Sequence, residues 1–103
     1  VSAIGAVSKA RIGYFDQEEK RYDEMLFDEP MEVLSLMGNV SLKDDQPFPH
    51  LHIVLSRKDY SVIGGHLYTG TIVYALEYEI VPFHGGFFKR RMDEGTGLYL
   101  WER

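Results

Sequence analysis

The stretch EVLSLMGNV, residues Glu32–Val40, is the most informative about the architecture of this chain. Its apolar residues fall at both odd and even positions, so a strand made from it would bury both faces and lie inside a sheet. Pro30 stands just ahead of the stretch, and proline is tolerated near the start of a strand. We therefore predict a central β-strand over residues 32–40.

More strands are predicted on both sides of this stretch, because alternating apolar residues and β-branched or aromatic runs recur along the chain. They are Ala3–Phe15, Lys20–Phe27, His50–Arg57, Val62–Tyr68, Thr71–Val81 and Leu98–Trp101, whereas Phe87–Arg91 is ambiguous. The best helix candidate, Gln17–Met25, has no apolar stripe at helical spacing. A single sheet would leave one apolar face open, so we expect a helix preceding Val1, closure into a barrel, or another subunit to cover it.

Composition restricts the function classes. The chain has 103 residues, 45% of them hydrophobic, no cysteine and a net charge of −5, which predicts one domain over residues 1–103. The lack of cysteine excludes a disulfide framework, a thiolate metal site and a cysteine nucleophile. No apolar run approaches the roughly 20 residues that span a bilayer, so we expect no membrane association. The negative charge disfavours direct DNA binding, which needs a surplus of Lys and Arg.

Three histidines form the strongest candidate site. His50 and His52 are two residues apart, so they share one face of a strand. If Lys58–Tyr60 connects two antiparallel strands, the constant sum of paired residue numbers places His66 opposite His52. Three imidazoles on one face supply the protein ligands of a zinc site with an open fourth position. We predict a divalent metal bound by these three residues and expect zinc, although iron, nickel or copper also accept imidazole.

The alternative interpretation is that the two strand histidines are only the polar face of an exposed strand. Gly64 and Gly65 precede His66, and glycine lets another backbone or a ligand approach closely. His84 is interpreted as a solvated loop residue. Further candidates are Glu32, Glu77 and Glu79 as carboxylates near the site, and Arg91, in the basic run Lys89–Arg91, as an anion-binding residue.

The chain resembles the plants-and-prokaryotes conserved (PPC) domain. The segments that carry the resemblance are Gly5–Ser8, Gly13–Asp16, Glu32–Val40, His50–His52, Gly64–Leu67 and Arg91–Leu98. The resemblance implies an α/β (α+β) fold dominated by a strongly bent, mainly antiparallel β-sheet, and a homotrimer. It also implies a metal site at the three histidines, like that of acetolactate decarboxylases. In plants the domain accompanies DNA-binding AT-hooks; in prokaryotes it usually stands alone, with its role largely unassigned.

Two departures from this family matter. Its members normally begin with a further strand and a helix, which this sequence lacks, so we expect either that subunit packing completes the core or that the sequence omits part of the natural chain. No Arg-Gly-Arg sequence occurs, so minor-groove binding of the AT-hook type is not expected.

From the sequence as a whole we predict a cytoplasmic, trimeric protein with a metal or small-ligand site that accepts an anionic molecule, and leave open whether it is an enzyme. The alternatives are a DNA-associated regulator and a scaffold for protein partners.

Overall fold

The computed structural model describes residues 1–102, and these residues form a single sheet of eight strands. The sheet has the order β2-β1-β5-β4-β3-β7-β8, and β6 also pairs with β1. The strands are β1 (Ser2–Asp16), β2 (Arg21–Phe27), β3 (Met31–Lys43), β4 (Gln46–Ser56), β5 (Val62–Leu67), β6 (Ile72–Glu79), β7 (Lys89–Asp93) and β8 (Leu98–Trp101).

The first strand, β1, organises the core because it pairs with four others. Its first half lies between β3 and β6, and its second half lies between β2 and β5. Since β3 also pairs with β4 and β4 with β5, the four strands β1, β5, β4 and β3 close into a ring. The apolar cluster of the ring strands consists of Ala3, Val7, Ala10, Ile12, Met31, Val33, Leu36, Ile53 and Leu55. Of the three expected covers for the open face, closure of the sheet is the one seen here.

The expected α/β (α+β) class is wrong in its helical part, because residues 1–102 contain no helix. The helix candidate Gln17–Met25 has no apolar stripe to bury, and its residues form a turn and β2 instead. The Asp16 carboxylate fixes that turn by accepting hydrogen bonds of 2.9 Å from the backbone N–H groups of Glu18 and Glu19. The strongly bent sheet is confirmed; its pairings are antiparallel except that β3 and β7 run parallel. The described chain also has no helix able to cross a bilayer.

The predicted central strand is confirmed, since β3 pairs with β1, β4 and β7. The next strand, β4, begins earlier than predicted because Asp44 and Asp45, with φ of 52° and 60°, form a two-residue turn of the kind that joins hairpins. Pro47 and Pro49 are tolerated because β5 pairs with β4 only from His52 onward, which leaves one edge of this part unpaired. The ambiguous segment yields β7, which forms a hairpin with β8.

Candidate metal centre

The β4–β5 hairpin brings the three histidines together. His52 pairs directly with His66, which confirms the predicted register. Along β4 the side chains of Ile53 and Leu55 are buried in the core, and His50 and His52 point to the opposite face. The imidazole ring centres lie 5.1 Å (His50–His52), 5.2 Å (His50–His66) and 5.7 Å (His52–His66) apart. One ring nitrogen from each residue lies within 4.8 Å of the others, close enough for one cation to contact all three after small rotations.

The two predicted glycines allow neighbouring backbones to come close to β5. A Cβ at Gly65 would lie 2.6 Å from the carbonyl oxygen of Gly13, and one at Gly64 would lie 2.8 Å from that of Ile53. Real Cβ atoms essentially never approach so closely, so β1 and β4 can pack against β5 only because these positions carry no side chain. This close packing places His66 between β1 and β4.

The environment of His50 and His66 favours the neutral imidazole, which is the form that binds metals. Burial, with the nearby His50 and His52, lowers the pKa of His66 to about 4. Burial, with the positive charge of Arg90 and the nearby His52, also lowers the pKa of His50. The Nδ1 atom of His66 is buried and has no hydrogen-bond partner within residues 1–102. Such an atom is costly unless something else satisfies it, and a metal ion would, so the residues present fit a cation.

Two tyrosines flank His66. Their ring centres lie 4.8 Å (Tyr22) and 4.9 Å (Tyr68) from that of His66. Burial, with the charges of Tyr22 and Glu24, raises the pKa of Tyr68 to about 12, and burial also raises the pKa of Tyr22. Both phenols therefore stay protonated near neutral pH and are hydrogen-bond donors beside the histidines.

The arginine that faces the histidines is Arg90, and the predicted anion-binding residue, its neighbour Arg91, is exposed and does not line the cleft. A nitrogen of the Arg90 guanidinium lies 3.5 Å from Nδ1 of His50, which is at the long limit of a hydrogen bond. We therefore treat Arg90 as a neighbouring charge. Sequence reasoning missed it because Lys89–Arg91 was not assigned to a strand; the alternation of β7 would have separated Arg90 from its two basic neighbours.

The other sequence candidates lie elsewhere. Glu77 and Glu79 pair with Ile4 and Ser2 at the start of β1, whereas His66 pairs with Gly13 near its other end. Glu32 pairs with Ala6 and Ser56, and His84 is exposed in the loop before β7, as predicted. The candidate carboxylates are thus not brought to the histidines.

A cleft of about 710 Å³ opens in front of the three histidines. Its floor is the face of β4 and β5 that carries them, and side chains of the β1–β2 and β7–β8 hairpins form its sides. The turns of these two hairpins touch: the Lys20 ammonium donates a hydrogen bond of 3.3 Å to the backbone carbonyl of Glu94. A volume of this size matches those of small-molecule sites.

The sequence profile of the Plants and Prokaryotes Conserved (PCC) domain matches residues 1–84. The chain belongs to this family. This match confirms the resemblance to the PPC domain that the sequence motifs indicated. PCC and PPC are two abbreviations for the same family. No curated protein sequence matches the chain.

Solved structures of similar proteins agree with this assignment. A metal-containing protein from Archaeoglobus fulgidus is 49% identical, with a TM-score of 0.92, over 99% of this chain and 71% of its own. A plant- and prokaryote-conserved protein from Pyrococcus horikoshii is 36% identical, with a TM-score of 0.84, over 99% of this chain and 70% of its own. A protein from Bacteroides thetaiotaomicron that is named as a candidate DNA-binding protein is 29% identical, with a TM-score of 0.82, over 98% of this chain and 70% of its own.

Proposed function

We propose that this PPC-domain chain is a divalent-metal-binding module, in which His50, His52 and His66 hold one cation at the floor of the cleft. The metal we propose is zinc, and we further propose that the protein works in the cytoplasm as a homotrimer. The observation that carries the proposal is the convergence of three imidazoles, one of which has a buried nitrogen with no protein partner among the described residues. A relative at 49% identity is a metal-containing protein, which supports the proposal.

The cation would keep coordination positions open toward the cleft, since the protein supplies three ligands. When bound, it would polarise a ligand oxygen or lower the pKa of a bound water molecule. The chain itself contributes three imidazoles, two protonated phenols beside His66, and the fixed positive charge of Arg90. These groups suit the binding and polarisation of an oxygen-containing small molecule.

Elemental analysis of protein purified without an affinity tag tests the proposal. We expect about one equivalent of metal per chain in the wild type and in the His84→Ala variant, because His84 lies in an exposed loop. The His52→Ala variant should lose most of the metal, and it should fold because His52 is exposed. Wild-type protein that neither contains metal nor takes up added zinc, or a His52→Ala variant with unchanged metal content, would contradict the proposal.

A second candidate function is a DNA-associated role, favoured by the provisional name of the Bacteroides thetaiotaomicron relative. The net charge of −5 weighs against direct binding, because protein–DNA interfaces are strongly positive. Titration of fluorescent duplex DNA at low ionic strength tests the second function. Binding that weakens steeply with added salt would support the DNA role, whereas a flat titration would eliminate direct DNA binding.

A further inference from the structure

The charge of the cleft is opposite to that of the whole chain. The sequence has 16 Asp and Glu residues, yet within residues 1–102 none of them lines the cleft. Four basic side chains do, namely Lys20, Arg21, Lys43 and Arg90. Arg21 lies 3.5 Å from the carboxylate of Asp23, but among the described residues neither Lys43 nor Arg90 forms an ion pair. The cleft thus holds positive charge that the described part of the protein does not neutralise locally.

The position of Arg90 is fixed by neutral oxygen atoms. Its guanidinium donates hydrogen bonds to the Ser41 hydroxyl (2.7 Å), the Asn39 side-chain oxygen (2.8 Å) and the Tyr99 carbonyl (3.0 Å). These three bonds hold the guanidinium in place without cancelling its charge, and they leave some of its five N–H donors free. An anion in the cleft would accept hydrogen bonds from these free donors and neutralise the charge.

The second cation, Lys43, lies against aromatic rings. Its ammonium nitrogen is 3.7 Å from the ring centre of Tyr99 and 5.1 Å from that of Phe48. Across the histidine floor, Phe15, Tyr22 and Tyr68 form a second aromatic group, with ring centres 4.9 Å (Phe15–Tyr22) and 5.8 Å (Tyr22–Tyr68) apart. Aromatic side chains bind flat rings by stacking and edge contacts, in addition to their apolar area. The cleft is also much larger than an inorganic ion needs.

We propose that the cleft binds a small organic anion that carries a planar ring, with its carboxylate or phosphate group on Arg90 and Lys43 and its ring among the aromatic side chains. Arginine binds either oxyanion through its planar fork of donors. The proposal rests on the proposed function in one respect: a metal on the three histidines would give the same oxyanion a further contact. The cations and rings themselves belong to the chain whether or not metal is bound.

Calorimetric titration with defined probes tests the ligand class on zinc-loaded and chelator-treated protein. The probes are 2-naphthoate, 2-naphthyl phosphate, the uncharged 2-naphthamide and the saturated decahydro-2-naphthoate. We expect one naphthoate or naphthyl phosphate per chain, with the amide and the saturated acid at least about tenfold weaker. The tighter of the two charged probes identifies the oxyanion. Absence of binding by both charged probes at millimolar concentration, or equal binding of the amide, would overturn the proposal.

Variants locate the site. Lys43→Gln should weaken binding of the charged probe about tenfold without changing the metal content. The control is Lys58→Gln, which removes the same charge from the exposed β4–β5 turn and should bind the probe like the wild type. Arg90→Gln should weaken binding further, but it also breaks bonds to β3 and β8, so Lys43 is the primary test. Equal affinity of the two lysine variants would overturn the proposal.

The same experiment separates this inference from the proposed function. If the protein holds one metal per chain but binds neither charged probe, the proposed metal function stands and the ligand assignment is wrong. Protein that binds naphthoate in a Lys43-dependent way but never binds metal keeps the ligand assignment and loses the metal function.

Discussion

Successive side chains near the end of β4 point alternately into the core and to the opposite face, which carries the cleft. Ile53 and Leu55, which are 1% and 0% exposed, pack inside the closed ring of strands. His50 and His52 lie on the other face, where they form the cleft floor. From His50 to Leu55, the odd-numbered side chains of β4 therefore face the core and the even-numbered ones face away from it.

Replacing one residue of each kind should show this separation. Leu55→Ala should lower the free energy of unfolding by about 2–5 kcal/mol, because it removes a fully buried side chain and leaves a cavity. Val54→Ala, at the exposed neighbouring position, should cost less than about 1 kcal/mol. Urea unfolding of the metal-free proteins measures both; equal losses would show that the core does not lie on this face.

Counting residues was enough to predict the histidine cluster. In an antiparallel hairpin the pairing of His52 with His66 follows once the turn at Lys58–Tyr60 is located, since the side-chain period is two. Arg90 could not be found in this way. Its position depends on the parallel pairing of β7 with the end of β3, which joins segments far apart in the chain and has no local sequence signal.

At the scale of strands, close backbone approach determines where β5 lies. The carbonyl oxygen of Gly13 on β1 occupies the space that a side chain at position 65 would need. The predicted role of the Gly64-Gly65 pair as a site of close approach is explained by neighbouring strands, with no ligand required. The same pair sets the distance between β4 and β1 on which the position of His66 depends.

Gly65→Ala should therefore affect both stability and the site. A Cβ there would lie 2.6 Å from the Gly13 carbonyl oxygen, so β5 must move, at a cost of about 1–3 kcal/mol typical of overpacking. Metal affinity should fall as well, because His66 moves with the strand. Gly95→Ala is the control, because a Cβ at that position would lie 3.6 Å from the nearest atom, a carboxylate oxygen of Asp93. Unfolding curves and zinc titration measure the two effects, and normal metal binding by Gly65→Ala would contradict this role for the glycine.

The connection between β2 and β3 is held by an ion pair that should respond to acid. The Arg57 guanidinium donates hydrogen bonds of 2.7 and 3.0 Å to the two carboxylate oxygens of Glu29. These hydrogen bonds, more than the charge of Arg57, hold the pKa of Glu29 below its usual value. Because the folded-state pKa is the lower one, the pair stabilises the fold above the ordinary pKa of glutamate. That contribution is lost as the pH falls through the folded-state pKa.

Glu29→Gln should therefore make stability less dependent on pH in the acid range. Relative to the wild type, the variant should be less stable near neutral pH, and the difference should shrink as the pH drops below the ordinary glutamate value of about 4.3. Glu18→Gln, which removes a charge from the exposed β1–β2 turn, is the matched control. Thermal unfolding across a pH series measures the effect; parallel curves for Glu29→Gln and wild type would show that the pair contributes nothing.

For the molecule as a whole, the ring of four strands covers the core but leaves large apolar side chains outside. Along β6, Ile72, Val73 and Tyr78 are each about half exposed or more, and Tyr74 is 80% exposed. Such surfaces on soluble proteins usually mark contacts with other chains. The sequence analysis predicted a homotrimer from the family resemblance alone, and the exposed side chains of β6 are consistent with that proposal.

Light scattering at micromolar concentration tests the trimer. The expected mass is three times the 11.9 kDa of one chain. Tyr74→Glu should lower the mass if β6 lies in the interface, because the substitution places an uncompensated charge there. Glu77→Gln on the same strand is the control. A monodisperse monomer for the wild type would rule out the trimer.

The fourfold pairing of β1 also has a consequence for folding. β1 is made before all of its partners, and one of them, β6, lies some seventy positions later, as in the pairing of Ser2 with Glu79. The ring around the core cannot close until β3, β4 and β5 have all been synthesised. Contacts between such distant segments form slowly, because closing a large loop costs conformational entropy before the new contacts can stabilise it. While the chain grows, the apolar face of β1 therefore stays without its native partners until these strands have been made.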